Sequence, residues 1–239
     1  ITFPLLIIPI AFSIEDTEIG HKCLSSSKAF TSNYNQSRAL VVIDLIFNNG
    51  SHDGFRKASY TWLDDPEEWA YGLALCRGDV SPDDCMTCVN NAAITLINTH
   101  CPDNRTAIIW RDYCFFKYSD VEFFGQIDTD NRLSSMNDKT WNLINSKEAA
   151  INWLGSLTQT AVQSPKFFAS GPTSLNDYEG CVTLYGVVQC TRDLSADDCK
   201  TCLDLAVTDI SKCCALKEGA RVVYGSCNVR YETYNFLTN

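Results

Sequence analysis

Histidine is scarce in this chain, with three in 239 residues, at His21, His52 and His100. Acid–base and nucleophilic catalysis lean on that side chain more than on any other, and Ser81, Ser174 and Ser195 lack the sharp glycine-flanked turn that exposes a nucleophile. No catalytic constellation is legible, so no enzymatic activity and no cofactor are expected. Positive charge is also short: 19 Lys and Arg face 29 Asp and Glu, a net −10. Neutralising phosphates takes a Lys/Arg-rich face, and nucleic acid is therefore not expected as a partner. Beyond the first twelve residues no segment approaches the ~20 apolar residues that cross a bilayer, so no membrane span is expected.

Cysteine is what the sequence has in excess. Thirteen are too many for free thiols in a reducing cytosol and suit a disulfide framework in an oxidising compartment. The apolar run Ile1 to Phe12 has signal-peptide length, and Ala11 and Ser13 are the small residues that signal peptidase requires. No Met or basic segment precedes it, so residues 1–13 read as a partial signal peptide cleaved after Ser13. The expected location is extracellular, in the apoplast.

The chain length suits two domains of ordinary size, and an internal repeat supports that division. A shift of 114 residues superposes Tyr71-Gly72 on Tyr185-Gly186, Cys76 on Cys190, Ser81 on Ser195, Cys85 on Cys199 and Cys88 on Cys202. After a one-residue deletion Cys101 meets Cys214, Cys114 meets Cys227 and Tyr118 meets Tyr231. A lone Cys-x2-Cys is weak evidence, whereas a five-cysteine spacing found twice is specific. The first domain is expected over residues 14–120, a polar linker over 121–140 and the second domain over 141–235. Within the linker, Val121, Phe123 and Phe124 are expected to pack between the domains.

Short apolar segments before each cysteine trio, residues 68–76 and 182–190, read as strands. Ser81-Pro82-Asp83-Asp84 and Ser195-Ala196-Asp197-Asp198 then give a capping serine with an acid at N3, the start of a helix. Val89, Ala92, Ala93, Leu96 and Ile97, and Cys202, Leu205, Ala206 and Ile210, mark the buried helix faces by their spacing. Residues 107–118 and 220–231 read as strands, and earlier helices are expected over 37–47 and 147–162. Each unit therefore reads as α+β, two helices and a sheet.

Zinc on Cys85 and Cys88 is the chief rival to disulfides, and the oxidising compartment argues against it. A thioredoxin-type redox role lacks its βαβ context, so no metal site is expected. The paired acids Asp83-Asp84 are better explained as helix-start charges than as a glycosidase pair. Arg77-Gly78-Asp79 resembles an integrin tripeptide, but the second copy has Thr191-Arg192-Asp193 there and a turn is expected in any case. Asn35, Asn49 and Asn104 begin N-glycosylation sequons, all in the first copy.

The two trios with their flanks, Tyr71 to Pro82 and Leu184 to Ser195, and the ending Gly225 to Glu232, resemble the plant ginkbilobin-homology domain, also called the salt-stress-response/antifungal domain or domain of unknown function 26. The resemblance spans about residues 20 to 235. It implies a non-enzymatic α+β fold, two helices packed on an antiparallel sheet with three disulfides per domain, found in tandem in secreted repeat proteins, plasmodesmata-located proteins and receptor-like kinase ectodomains. It implies the pairs Cys23–Cys101, Cys76–Cys85, Cys88–Cys114, Cys190–Cys199 and Cys202–Cys227. The first closes a long loop and is worth on the order of 4 kcal/mol in the chain-entropy model. An odd set remains, Cys181, Cys213 and Cys214. The preferred expectation joins Cys181 to Cys213 or Cys214, with a vicinal Cys213–Cys214 bond as the less favoured alternative.

Single-domain antifungal members bind mannose through an Asn after the first cysteine, an Arg six residues before the last and a Glu five after it. The first copy holds Leu24, Ile108 and Ser119 there, which speaks against sugar binding. The second holds Arg221 and Glu232, a pair that could equally form a plain ion pair, and with no first cysteine its Asn position has no anchor. The expected function is extracellular recognition of a protein partner or cell-wall glycan in stress or defence, the alternative a directly antifungal, mannose-binding lectin-like protein.

Overall fold

The computed structural model describes residues 16–47, 54–140, 147–177, 180–214 and 217–238. The expected signal peptide and the Asn49 sequon lie outside these residues. The first half runs β1 (Glu18–Leu24), α1 (Ser32–Phe47), β2 (Phe55–Tyr60), β3 (Ala70–Cys76), α2 (Pro82–Thr95), β4 (Thr106–Arg111) and β5 (Cys114–Ser119). The second repeats it with β6 (Arg132–Met136), α3 (Lys147–Gln163), β7 (Phe168–Asp177), β8 (Gly180–Cys190), α4 (Ala196–Cys213), β9 (Gly219–Tyr224) and β10 (Cys227–Glu232). The sheets are antiparallel, in the orders β1-β4-β5-β3-β2 and β6-β9-β10-β8-β7.

Both long helices after the trios start at a serine cap. Ser81 and Ser195 each accept the N–H of the residue three ahead, at 3.2 and 3.1 Å, and donate to its carboxylate at 2.7 Å. Cys199, Cys202, Leu203, Ala206, Val207 and Ile210 form the buried face of α4, while Leu205 points to solvent. The helical period allowed either leucine, and the position of Cys202 under the sheet decides for Leu203. Each helix pair covers one sheet face, over Tyr34, Val41, Leu45, Phe116 and Tyr118 in the first domain and Leu154, Leu184, Val188, Leu203 and Tyr231 in the second.

The opposite faces of the sheets meet each other. Period-2 alternation sends Ala107, Ile109 and Phe116 toward the helices and Ile108, Trp110 and Phe115 the other way. With Leu73 and Leu75 these meet Val223 and Leu133 of the second domain, and Phe123 and Phe124 join the cluster while Val121 stays exposed. Trp110 Nε1–H donates to the Tyr224 carbonyl at 2.9 Å and Gln189 Nε2–H to the Cys76 carbonyl at 3.0 Å. Burial on both faces explains why these strands read as unbroken apolar runs rather than alternating ones. Gly20 sits where a Cβ would come within 2.6 Å of a Leu133 methyl, so a larger residue there would displace that side chain at the domain seam.

Besides Leu205 and Val121, three further sequence expectations change. Residues 132–136, placed in the linker, form the edge strand β6 of the second sheet, a short polar strand whose pattern is masked by having one face in solvent. Residues 107–118 and 220–231 are each a hairpin, and Cys114 and Cys227 open its second strand. The Cys181 bridge does not form: Cys213 bonds Cys214, and among the described residues Cys181 carries a free, exposed thiol. Cys214 is the counterpart of Cys101, whose partner Cys23 lies on β1. The equivalent strand β6 carries Met136 at that register, so no cysteine faces Cys214 across the sheet. Cys181 lies beyond the stretch Tyr185–Cys190 of β8 that β10 holds, on a two-stranded ribbon shared only with β7. The other bonds are Cys23–Cys101, Cys76–Cys85, Cys88–Cys114, Cys190–Cys199 and Cys202–Cys227.

Candidate functional site

Arg221 on β9 and Glu232 on β10 line one open polar groove of about 480 Å³ at the seam between the domains. Thr17, Glu18 and Asp112 of the first domain and Ser135, Asn137, Arg230 and Tyr234 of the second complete its wall. The two expected residues do not form a simple pair. Arg221 Nη2 meets Asp112 Oδ1 at 2.5 Å, Arg230 Nε meets Glu232 Oε1 at 2.9 Å, and Arg230 Nη1 reaches Asp112 at 3.4 Å. Two guanidinium groups and two carboxylates therefore alternate across the seam. A guanidinium has five N–H donors, more than one carboxylate can take up.

The sheet register supplies a residue that the sequence could not place. Ala107 and Ala220 each lie seven residues before the last cysteine of their domain, and they pair with Cys23 and Met136 respectively. Met136 therefore stands at the first-cysteine position, and the next residue, Asn137, stands at the position of Leu24. Its backbone N–H bonds the Gly219 carbonyl at 2.8 Å, prolonging the ladder by one rung. Asn137, Arg221 and Glu232 thus share one groove wall. The signal was hidden because β6 carries no cysteine to anchor the count and, as a short polar strand, shows no period of its own. Gly219 leaves the space that Glu232 occupies, since a Cβ there would overlap the carboxylate.

Burial works to raise Asp112, but the Arg221 charge, the Thr17 hydroxyl and then Arg230 outweigh it and hold the carboxyl below its ordinary value. Asp128 is likewise raised by burial and lowered further by Lys117 at 2.5 Å. For Asp120 the hydrogen bonds from Ser26, Thr106 and Arg105 overcome burial. Carboxyls whose folded pKa is depressed add stability that is present above their unfolded value of 3.8 and lost as pH falls through the lowered folded values. Urea midpoints are thus expected to hold down to about pH 4 and then drop steeply. Midpoints unchanged into the pH range below 3 would show that these pairs contribute nothing. Glu232 behaves oppositely: burial raises it, and Arg230 and Arg221 only partly offset that.

In the first domain the corresponding positions hold none of the Asn, Arg and Glu side chains. Ile108 is buried in the interdomain cluster, Ser119 is buried with its hydroxyl shared with Thr106, and Leu24 ends the edge strand. Arg77 and Asp79 of the integrin-like tripeptide pair with each other at 2.6 Å and hold the C-terminal segment through Phe236 and Thr238. They are structural. Asn35 is exposed on α1, its side-chain oxygen held by Arg38, and Asn104 is half-buried with its amide donating to Leu24.

Fold and staples together define a disulfide-bonded tandem of two α+β units joined back to back through their sheets. The chain matches the salt stress response/antifungal family model twice, over residues 22–121 and 134–234, and belongs to that family. It is 46% identical over 172 residues to an antimicrobial ginkbilobin-2-like protein of Castanea crenata, covering 72% of this chain and 70% of that one. It is 38% identical to cysteine-rich repeat secretory protein 38 of Arabidopsis thaliana, covering 98% and 95%. The tandem ectodomains of the Arabidopsis cysteine-rich receptor-like proteins PDLP5 and PDLP8 share the fold, with TM-scores of 0.71 and 0.74 at 21% and 23% identity. Each comparison covers 90% of this chain, and 98% and 97% of the other. The protein is an extracellular, secreted-type cysteine-rich module, and among the described residues no helix is long and apolar enough to cross a membrane.

Proposed function

We propose that the tandem is a non-enzymatic recognition module of the cell exterior whose second domain binds a mannose-type sugar of a cell-wall glycan. The observation that carries this reading is the convergence of Asn137, Arg221 and Glu232 on one groove. A polyol presents adjacent hydroxyls that each donate and accept. Arg221 donates to them, Glu232 accepts from them, and the Asn137 amide does both. Tyr234, with more than half of its surface exposed, offers an aromatic face for the apolar side of the ring. Asp112 of the first domain fixes the Arg221 guanidinium, which lowers the ordering cost of binding.

Calorimetric titration of mannose and mannobiose into the whole chain tests this. The expected outcome is binding with Kd on the order of 1 mM, weakened about tenfold or more in Asn137→Ala and in Glu232→Gln. Because the Glu232 pKa is raised from 4.5, binding is expected to weaken on acidification at a higher pH than an ordinary glutamate would dictate. Flat heats for the wild type at millimolar sugar would overturn the sugar site and leave a protein partner as the object of recognition. The name of the Castanea relative favours a second reading, direct antimicrobial action, which inhibition of hyphal growth by purified protein would support.

A further inference from the structure

Two of the three histidines, distant in sequence, lie ring on ring. The His21 and His100 centroids are 3.6 Å apart and their planes 9° from parallel. Glu18 reaches both, Oε1 to His21 Nδ1 at 2.8 Å and Oε2 to His100 Nε2 at 3.1 Å. Residues three apart on a strand point to opposite faces, but the bulge between Glu18 and Gly20 turns Glu18 to the side of His21. His100 ends a widened helical turn, Leu96–His100, and the next residue, Cys101, is tied to Cys23 two residues beyond His21. One disulfide therefore holds both imidazoles in place.

The fold does not require this cluster. By the same register that places Asn137, the second domain has Arg132, Ser134 and Cys213 at the three positions, and it builds the same sheet edge. Nor does the sugar groove need the imidazoles, since neither lines it. Two imidazoles and a carboxylate gathered at one place are a mixed nitrogen and oxygen donor set that a single cation can share.

We propose that Glu18, His21 and His100 form a binding site for a divalent transition-metal ion of the zinc class. The three donor atoms lie within 4.8 Å of one another, and the side chains are 27%, 35% and 23% exposed, open enough for an ion to enter. Ligands around one tetrahedral zinc, at bond lengths of about 2.0–2.2 Å, stand about 3.3 Å apart, so binding draws the donors together and turns the two stacked rings out of parallel to aim both nitrogens at one ion. Two nitrogens and one carboxylate oxygen form a three-ligand site that keeps a water in its open position. The nitrogens that now face Glu18 turn their lone pairs to the metal, and each neutral ring then holds its single proton on its other nitrogen, a tautomer reached by exchange with solvent. Any second proton on a ring is released to solvent.

The test is equilibrium dialysis of the whole, chelator-treated chain against ZnCl2 near pH 7.5, with CaCl2 as the hard-cation control. A single zinc ion is expected to bind below about 1 mM, weakened about tenfold or more in His21→Gln and in His100→Gln and unchanged in His52→Gln. Calcium is not expected to compete. Each variant's circular dichroism and retained Cys23–Cys101 bond separate loss of a ligand from loss of the fold. No zinc bound by the wild type, equal binding in the two ligand variants, or loss of binding in His52→Gln would each overturn the assignment.

Discussion

Replacing Arg105 with alanine is expected to destabilise the first domain by about 3–5 kcal/mol, the usual loss when one partner of a buried ion pair is removed. The side chain is 2% exposed and makes four strong contacts. Nε meets Asp120 at 2.9 Å, Nη1 meets Glu68 at 2.9 Å and the Ala29 carbonyl at 3.0 Å, and Nη2 meets the Glu67 carbonyl at 3.0 Å. Its guanidinium also lies 4.0 Å from the centre of the Tyr34 ring. These partners belong to the irregular segments before α1, before β3 and after β5, none of which a disulfide reaches. Without Arg105, Glu68 and Asp120 are left as buried carboxylates with only neutral donors, Thr31 for one and Ser26 and Thr106 for the other. Lysine should rescue little, because a point charge cannot serve four directions at once. Urea denaturation under non-reducing conditions measures the change, and a loss below about 1 kcal/mol would mean the network is no better than a surface pair.

This network also shows how far the sequence could be read. Cysteine spacing, capping serines and the repeat are local or periodic features, and they revealed the two-domain α+β plan. Arg105 carried no such signal: it sits inside a sequon beside Asn104, and its partners lie 15 to 76 residues away. The second copy has Glu218 at the equivalent place, so the repeat concealed it too. Strand β6 was missed because a short polar edge strand is hard to tell from a linker by composition. With it went Asn137, the third groove residue, which only strand register could assign. The Cys181 bridge failed for a related reason. Counting cysteines says how many need partners but not which strand brings them within reach, and β6 brings Met136.

Trp110→Ala is expected to uncouple the two domains, with a loss of about 3–5 kcal/mol. Trp110 is 3% exposed, lies at the centre of the interdomain cluster and bonds the Tyr224 carbonyl. It belongs to neither helix-facing core, so each domain keeps its own interior, staples and capped helices when the indole is removed. The wild type should melt in one calorimetric transition, because the sheets share a continuous apolar contact and the charges of Arg221, Arg230 and Asp112. The variant should melt in two, and protease should cut the connecting segment 120–131 while both fragments keep their disulfides. Sugar affinity should fall as well, although Trp110 is not part of the groove wall, because Asp112 would no longer be held against Arg221. A variant that still melts as one unit, with groove affinity intact, would mean the polar contacts alone keep the sheets together. The fused tandem would then owe its rigidity to its ion pairs and should come apart with salt.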